Sequence, residues 1–276
     1  MSQYAHPEVL IDVQWLAEHL DDSNLRILEV DMSPEPYKNA HIPGAVFWTI
    51  KDLNLPDWSL NLDPIAFEQL MSRSGITNET TVVAYSSYPG TGGWIFWLLK
   101  LFGHEKVKVL NGGYQQWQAA GYPLAKDLSV FAPTNYQAKL PDDSLRVRHQ
   151  EVQTSLNKSD CVVLDVRTPQ EYTGEVFFDK PPEPNQRSGH IPGALHIEHL
   201  LTLNEDGTFK SFKELQALYV NKEVTSDKKI LTYCAIGARS AYVWFVLKYL
   251  LGYPHVFNYD GSWNQWSRLP HVAIEK

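Results

Sequence analysis

Apolar positions along the second half of the chain alternate between short continuous runs and longer stretches with a helical spacing. Continuous apolar runs are typical of buried strands, and apolar residues spaced three or four apart are typical of helices. The runs predict strands over residues 161–166, 195–197, 229–233 and 255–259. The spaced positions predict helices over residues 148–159, 211–223 and 240–251. Alternating strands and helices favour an α/β fold, in which helices flank both faces of a mainly parallel sheet.

The first half of the chain repeats the same order of elements. Its pattern predicts strands over residues 26–30, 81–85 and 107–110, and helices over residues 64–73 and 93–102. The segment His-Ile-Pro-Gly-Ala that begins at His41 recurs 149 residues later at His190, and Tyr85 recurs 148 residues later at Tyr233. Because such landmarks keep their order and spacing, the chain is predicted to hold two copies of one α/β domain in tandem.

A proline-containing stretch without periodicity separates the two copies. We place the first domain at residues 1–125, the linker at residues 126–145 and the second domain at residues 146–276. The linker contains Pro133 and Pro141 and is expected to cross the surface without regular structure. The second copy also carries an insertion before His190, which includes Pro181 and Pro182 and is expected to form a loop.

Length and composition are those of a globular protein with two domains. The chain has 276 residues, of which 43% are hydrophobic and 20% are charged, and about 150 residues per domain is usual. A net charge of −8 argues against nucleic acid or an anionic membrane as partner, because both favour basic surfaces. The first residues show no signal-peptide pattern, and no apolar run is long enough to span a membrane, so we expect a cytoplasmic protein.

The cysteine count limits the chemistry that the chain can use. The sequence has two cysteines, Cys161 and Cys234. A disulfide between them is disfavoured in the cytoplasm. Two cysteines are too few for zinc sites built from paired CxxC motifs, and the sequence contains no HExxH motif, so no metal site is predicted.

The segment most informative about chemistry lies between a predicted strand and a predicted helix. A buried strand ends at Tyr233, a loop of mostly small residues runs from Cys234 to Arg239, and an apolar helix begins near Ser240. Backbone N–H groups of such a tight loop can form an anion nest, to which the helix N-terminus adds partial positive charge. With the guanidinium of Arg239, these groups are expected to favour the thiolate of Cys234, the nucleophilic form. The alternative from the residues alone is an inert buried cysteine.

Three motifs of the second copy resemble the signatures of rhodanese domains. They are Asp-Val-Arg-Thr-Pro-Gln-Glu-Tyr at residues 165–172, Gly-His-Ile-Pro-Gly-Ala at residues 189–194 and Cys-Ala-Ile-Gly-Ala-Arg at residues 234–239. The resemblance covers nearly the whole chain, in the tandem form of the family with a catalytic second domain. It implies two rhodanese-like domains and a sulfurtransferase that needs no cofactor.

The resemblance to rhodaneses also implies roles for individual residues. The thiolate of Cys234 attacks the outer sulfur of thiosulfate and expels sulfite, and the resulting persulfide passes its sulfur to cyanide, a small thiol or the thiol of an acceptor protein. Asp165 and Arg167 occupy positions with which the family braces the active-site region, and a purely structural ion pair is the alternative reading. The loop residues implied to bind the substrate are Ala235, Ile236, Gly237, Ala238 and Arg239.

The composition of the loop bears on the sulfur donor. Family members that use thiosulfate tend to carry cationic side chains there, whereas those that use 3-mercaptopyruvate tend to carry an uncharged Cys-Gly-Ser/Thr-Gly loop. The loop of this chain resembles the Cys-Arg-Ile-Gly-Glu-Arg loops of some bacterial thiosulfate sulfurtransferases, with Ala235 in place of the first arginine. The resemblance favours thiosulfate, and 3-mercaptopyruvate is the alternative donor.

The first copy lacks the groups on which this chemistry depends. Ser86 stands in the place of the cysteine, Thr91 in the place of the loop arginine and Ser33 in the place of the bracing arginine. A serine hydroxyl without an adjacent general base is a weak nucleophile. The first domain is therefore predicted to be non-catalytic and to close one wall of the cleft, with Tyr88 or Trp58 as candidate wall residues.

Two functions of other classes use a similar cysteine. Phosphatases with a Cys-to-Arg loop place five residues between the two, whereas four intervene here, which leaves a loop too tight for phosphate but suited to a single sulfur. A non-enzymatic persulfide carrier or regulatory module would use the same Cys234, so that alternative stays open.

Overall fold

The first half of the chain forms one parallel sheet. A computed structural model describes residues 3–88 and 91–276. Within that part, the strands of the first half are β1 (Leu10–Ile11), β2 (Leu25–Asp31), β3 (Val46–Thr49), β4 (Thr81–Tyr85) and β5 (Val107–Leu110). They pair in the order β1-β5-β4-β2-β3, and every neighbouring pair is parallel.

The second half forms a second parallel sheet with the same central arrangement. The strands found in its described residues are β6 (Cys161–Asp165), β7 (Leu195–His196), β8 (Lys229–Tyr233) and β9 (Val256–Asn258). They pair in the order β7-β6-β8-β9, again with all pairs parallel. The strands β6 and β8 thus occupy the positions that β2 and β4 hold in the first sheet.

Helices flank both sheets. In the first half they are α1 (Val13–Glu18), α2 (Glu35–Asn39), α3 (Ile50–Leu53), α4 (Pro64–Arg73), α5 (Thr91–Leu101) and α6 (Gly113–Ala119). In the second half they are α7 (His149–Ser155), α8 (Pro169–Thr173), α9 (Phe212–Val220), α10 (Ala238–Phe245) and α11 (Ser262–Trp266). Two parallel sheets flanked by helices confirm the predicted fold class. Over residues 3–88 and 91–276, no helix is long and apolar enough to cross a membrane.

Most predicted elements agree with the structure; some strand ends differ by one residue, and the larger differences occur at helix ends. The predicted strands over residues 81–85, 107–110 and 229–233 coincide with β4, β5 and β8, and the predicted helix over residues 64–73 coincides with α4. The helix predicted over residues 148–159 was too long, because Leu156 is extended and Asn157 has a φ of 63°. The helix predicted over residues 240–251 begins earlier, at Ala238, and passes into a π-helical turn, Val246–Leu250.

The two halves pack together through α5 and α10, the helices that follow the central strands β4 and β8. Gly93 of α5 permits the contact, since a Cβ there would lie 3.0 Å from Cδ2 and 3.2 Å from Cα of Tyr242. Beside it, the ring of Phe96 lies 4.9 Å from that of Phe245 and 4.6 Å from that of Tyr249, measured between centroids. Buried residues of both halves therefore form one continuous hydrophobic core.

The segment that connects the halves crosses the surface of the first half. Described residues 121–142 form no helix or strand, apart from a single bridge at Ala125. The guanidinium carbon of Arg26 lies 3.5 Å from the centroid of the Phe131 ring, and the N–H of Thr134 donates to the carbonyl of Ser72 at 3.0 Å. The domain boundaries at 1–125, 126–145 and 146–276 stay a prediction.

Candidate active site

Cys234 lies in a tight turn between β8 and α10. Strand β8 ends at Tyr233 and α10 begins at Ala238, so residues 234–237 make the whole connection. Gly237 has a φ of 91°, and a Cβ there would lie 2.6 Å from the carbonyl oxygen of Asp260. Glycine is required because it adopts this conformation without strain and leaves room for that oxygen. The turn places the thiol at the N-terminal end of α10, where partial positive charge favours an anion.

The sulfur of Cys234 has one backbone donor and two hydroxyl neighbours. The N–H of Gly237 donates to it at 3.2 Å, and the hydroxyls of Ser240 and Ser262 lie at 3.6 and 4.0 Å. Each hydroxyl carries one proton, and each has a closer acceptor oxygen, at 2.7 and 2.8 Å respectively. The backbone N–H of Gly237 is therefore the donor committed to the sulfur, whether that sulfur is a thiolate or part of a persulfide.

The N-terminal end of α11 holds the loop from behind. The N–H of Trp263 donates to the carbonyl of Cys234 at 3.0 Å, and the N–H of Asn264 donates to the carbonyl of Ala235 at 2.8 Å. The hydroxyl of Ser262 accepts from the N–H of Cys234 at 3.0 Å. These bonds fix the backbone on both sides of the thiol, so the loop is organised before any substrate enters.

Arg239 is bound by a buried carboxylate. Its Nη1 and Nη2 lie 2.7 Å from the two carboxylate oxygens of Glu171 in α8. The side chain of Glu171 is 2% exposed and that of Arg239 is 21% exposed. Glu171 also accepts from the N–H and the hydroxyl of Thr168, both at 3.0 Å. The loop sequence shows the positive charge of Arg239, and the structure adds a carboxylate that balances it.

Electrostatics keep both members of this pair ionised. Burial alone would raise the pKa of Glu171, but the hydrogen bonds and the charge of Arg239 outweigh it and leave that pKa below its ordinary value. Burial opposes the charge of Arg239, yet the bonds to Glu171 raise its pKa overall. A guanidinium has five N–H donors, and two of those of Arg239 bind the carboxylate of Glu171. Arg239 therefore keeps donors for a ligand, although the charge of Glu171 balances its own.

Asp165 and Arg167 form a second buried ion pair beside the loop. Nη2 of Arg167 lies 2.6 Å from Oδ2 of Asp165 and also donates to the carbonyl of Gly189 at 2.7 Å. The guanidinium carbon lies 4.7 Å from the centroid of the Trp263 ring. The pair thus links the end of β6 to the turn before β7 and to the helix that holds the loop. Neither residue is among the described residues that line the cavity at Cys234.

A cavity of about 240 Å³ opens onto Cys234 between the two halves. Most of its wall is apolar. Its lining from the second half consists of Phe178, His199, Cys234, Ala235, Ile236, Ala238, Arg239 and Tyr242. Its lining from the first half consists of Val30, Asp31, Met32, Ile50, Tyr88, Thr91 and Trp94. Of the two wall candidates in the first half, Tyr88 lines the cavity, and Trp58 is not found among its described lining residues.

A hydrogen bond between Tyr88 and His199 spans the cavity wall from one half to the other. The hydroxyl of Tyr88 lies 3.2 Å from Nε2 of His199, and Nδ1 of the same ring lies 3.2 Å from the carbonyl of Val166. Burial, followed by the charge of Arg239, lowers the pKa of His199 to about 3. The ring is therefore neutral at physiological pH, with its proton on Nδ1, and Nε2 accepts a hydrogen bond from the Tyr88 hydroxyl.

The loop at Cys234 could be predicted from the sequence, but some of the residues that surround it could not. The partner of Arg239 was not foreseen, although Thr168 and Glu171 show the spacing of a helix capping box, which α8 forms. That spacing signals a helix start and carries no information on a distant arginine. The contributions of Asp31 and Met32 were not foreseen either, because they depend on how the two halves dock.

The profile of the rhodanese-like domain matches this chain twice, over residues 12–120 and over residues 148–269. The chain belongs to the rhodanese family. The tandem organisation inferred from the repeated motifs is thereby confirmed. The turn that carries Cys234 lies inside the second match, and the turn with Ser86 lies inside the first.

Relatives of this rhodanese are similar along their whole length. The "Sulfur carrier protein TtuD" of Thermus thermophilus is 43% identical over 288 residues, which cover 99% of this chain and 98% of that protein. A "Putative thiosulfate sulfurtransferase" of Haloferax volcanii is 38% identical and covers 100% of this chain and 98% of that protein. Another protein of that name, from Mycobacterium tuberculosis, is 39% identical and covers 98% of this chain and 99% of that protein. Each of these names refers to the carriage or the transfer of sulfur.

Solved structures with the same fold include those of EanB. The wild-type structure superposes with a TM-score of 0.89 at 26% identity, over 100% of this rhodanese and 71% of the EanB chain. The anaerobic ergothioneine biosynthesis enzyme of Chlorobium limicola, solved with trimethyl histidine, also has a TM-score of 0.89 at 26% identity, over 100% of this chain and 72% of that one.

Proposed function

We propose that this rhodanese is a sulfurtransferase that carries the outer sulfur of thiosulfate as a persulfide on Cys234 and transfers it to a thiophilic acceptor, cyanide or a thiol. One observation carries the proposal. The thiol of Cys234 receives the N–H of Gly237 at 3.2 Å at the start of α10, and it faces a cavity of about 240 Å³. An anionic sulfur is stabilised there, and a small molecule that occupies the cavity would lie against Cys234.

The reaction has two balanced steps. The thiolate of Cys234 attacks the outer sulfur of thiosulfate, the S–S bond of thiosulfate breaks, and sulfite leaves with the electron pair. In the second step the acceptor attacks the outer sulfur of the persulfide, and the electron pair of the broken S–S bond returns to Cys234. The rate of such an exchange depends on the thiolate fraction of the attacking thiol and on the pKa of the leaving thiol.

The surrounding residues have supporting roles in the proposal. Ala235, Ile236 and Ala238 line the cavity next to the thiol, and Arg239 offers its remaining N–H groups to an oxyanion. Gly237 supplies the donor to the sulfur. Asp165 and Arg167 act as a brace, since their ion pair contacts the elements that hold the loop and does not face the ligand.

Intact mass measurement after incubation with thiosulfate tests the proposal. The wild type is expected to gain one sulfur, about 32 Da, with release of one equivalent of sulfite. Cys161→Ser is the matched control, because it removes the other cysteine and should still gain the sulfur. Cys234→Ser should gain none. A gain by Cys234→Ser, or sulfite release without any persulfide on the wild type, would refute the role of Cys234.

Thiosulfate and 3-mercaptopyruvate are the two candidate sulfur donors. Ala235 removes one cation from the loop, and Glu171 balances the cation that remains, so the site attracts a dianion less than the loop sequence suggests. Parallel loading with 3-mercaptopyruvate decides between the donors. Loading by that compound alone, with pyruvate released, would replace thiosulfate in the proposal and leave the persulfide intact.

A role as a persulfide carrier is the second candidate, favoured by the 43% identity to a protein named as a sulfur carrier. A carrier would hold the same persulfide but deliver it to the thiol of a partner protein. Slow turnover with cyanide and small thiols, together with rapid discharge to a protein thiol, would favour the carrier over the enzyme.

A further inference from the structure

Asp31 places a carboxylate of the first half in the wall of the cavity at Cys234. The N–H of Ser87 donates to its Oδ2 at 3.0 Å, and the hydroxyl of Ser87 donates to the same oxygen. These donors fix the carboxylate at the end of β2. Both donors are neutral, so the negative charge of Asp31 is oriented but not cancelled.

The equivalent aspartate of the second half has a different environment. Asp165 is paired with Arg167 at 2.6 Å, whereas Ser33 stands at the position of that arginine in the first half. Among residues 3–88 and 91–276, no Lys, Arg or His nitrogen lies within 4.0 Å of the carboxylate of Asp31. The first half thus retains the carboxylate without its cation, at a point that borders the cavity of the second half.

The rest of the wall does not offset this charge. Arg239 is balanced by Glu171, and His199 is neutral. Much of the remaining surface is aromatic and includes Trp94 and Phe178. Aromatic rings attract organic cations through their faces, and a carboxylate near a low-dielectric wall attracts them more strongly than it does in water.

We propose that Asp31 is a specificity-determining residue that makes the Cys234 site favour positively charged organic acceptors over anionic ones. The inference rests on the proposed function, because it concerns the second half-reaction. There the acceptor thiolate attacks the outer sulfur of the persulfide, a new S–S bond forms in the product, and the electron pair of the broken bond returns to Cys234. A cationic group on the acceptor is held by Asp31 during this attack, and an anionic group is repelled.

Three acceptors of similar size and different charge test the proposal. They are cysteamine, which carries an ammonium group, 2-mercaptoethanol, which is neutral, and 3-mercaptopropionate, which carries a carboxylate. Cys234 is first loaded with thiosulfate or, independently, with inorganic polysulfide, and the discharge rate of the persulfide is followed by intact mass at pH 8. Each rate is measured for the wild type, for Asp31→Asn and for Asp21→Asn. Asp21 is an exposed aspartate of the same half and serves as the matched control.

The decisive quantity is the ratio of the wild-type rate to the Asp31→Asn rate for each acceptor, because intrinsic thiol reactivity cancels in this ratio. We expect the ratio for cysteamine to exceed that for 3-mercaptopropionate at least tenfold, about 1.4 kcal/mol. The ratio for 2-mercaptoethanol should be near one. For the control Asp21→Asn, the ratio of the wild-type rate to the variant rate should be the same for all three acceptors. A merely structural role of Asp31 would lower all three rates alike, and equal ratios for the three acceptors would overturn the proposal.

Ionic strength provides a test that needs no variant. Raising the salt from about 0.01 M to about 1 M shortens the Debye length from about 30 to about 3 Å. Discharge of the wild-type persulfide should slow with cysteamine and accelerate with 3-mercaptopropionate, and the absence of opposite responses would count against a charge effect. If neither reagent loads Cys234, the proposed function fails and the inference fails with it. If loading succeeds and the ratios are equal, only the inference fails.

Discussion

Replacement of Arg239 by alanine leaves the carboxylate of Glu171 buried without its partner. The side chain of Glu171 is 2% exposed and retains only the donors of Thr168. Loss of one member of a buried ion pair costs about 3–5 kcal/mol. Because the side chain of Arg239 is 21% exposed, water can reach part of the site, and we take the lower end, about 3 kcal/mol.

Urea unfolding at pH 7.5, followed by tryptophan fluorescence, measures this loss. With a slope of about 3 kcal/mol per M, the midpoint should fall by about 1 M. The double variant Arg239→Ala/Glu171→Gln removes the unpaired charge as well and should recover at least half of the loss. Lys106→Ala, which breaks an exposed ion pair with Glu79, should leave the midpoint unchanged. A loss below about 0.5 kcal/mol for Arg239→Ala, the value of a surface pair, would refute the reasoning.

The difference in unfolding free energy between the wild type and Arg239→Ala should change with pH in a definite direction. In the wild type the pKa of Glu171 is lowered in the folded state, so its stabilisation is complete above the unfolded pKa and is lost as pH falls through the lowered value. In Arg239→Ala the largest opposition to burial is removed and only weaker contributions such as the Thr168 donors remain, so that pKa should rise. The variant should therefore regain stability relative to the wild type as the pH is lowered from 7.5 towards 5.5, since Glu171 can then bind a proton.

Two further predictions concern the turn and the histidine of the cavity. Gly237→Ala should slow alkylation of Cys234 by iodoacetamide and sulfur transfer at least tenfold, because its Cβ would lie 2.6 Å from the carbonyl of Asp260 and displace the N–H that binds the sulfur. Gly44→Ala, also at positive φ but with open space around it, should cost about 1–2 kcal/mol of stability and leave both rates unchanged; equal rate losses would contradict the prediction. His199, whose pKa is lowered by burial to about 3, should have no effect on the pH dependence of stability above pH 6.5, where it is neutral in both states, and should destabilise the fold by up to about 1.4 kcal/mol per pH unit as pH falls below that value. Urea unfolding of wild type and His199→Gln between pH 7 and 5 checks this, and parallel pH profiles would show that His199 titrates normally.

The strands and the turn at Cys234 could be predicted from the sequence because both are local features. The run over residues 230–233 is mostly apolar and is followed at once by small residues, so its end and the position of Cys234 follow from the chain itself. Helix ends were less predictable. The start of α10 at Ala238 depends on the positive φ of Gly237 against Asp260, a contact across the fold.

The charge state of the site could not be predicted, because it depends on contacts between distant residues. Arg239 and Glu171 are 68 positions apart, and nothing in the spacing of either motif specifies their pairing. Tyr88 and His199 are 111 positions apart and belong to different halves. The absence of an arginine at Ser33 was visible in the sequence, but its meaning depends on the docking of α5 against α10, which brings Asp31 to the cavity.

Residues from both copies of the domain form the wall of the cavity at Cys234. In the proposed function, changes next to Cys234 in the second copy act directly on the sulfur that forms and breaks bonds. The first copy does not carry this cysteine, yet its residues Asp31, Met32 and Tyr88 line the same cavity. Substitutions in the first copy can therefore change which molecules are admitted while the reactive turn stays intact. In the proposed function, the first copy therefore offers a surface on which selectivity can change separately from reactivity.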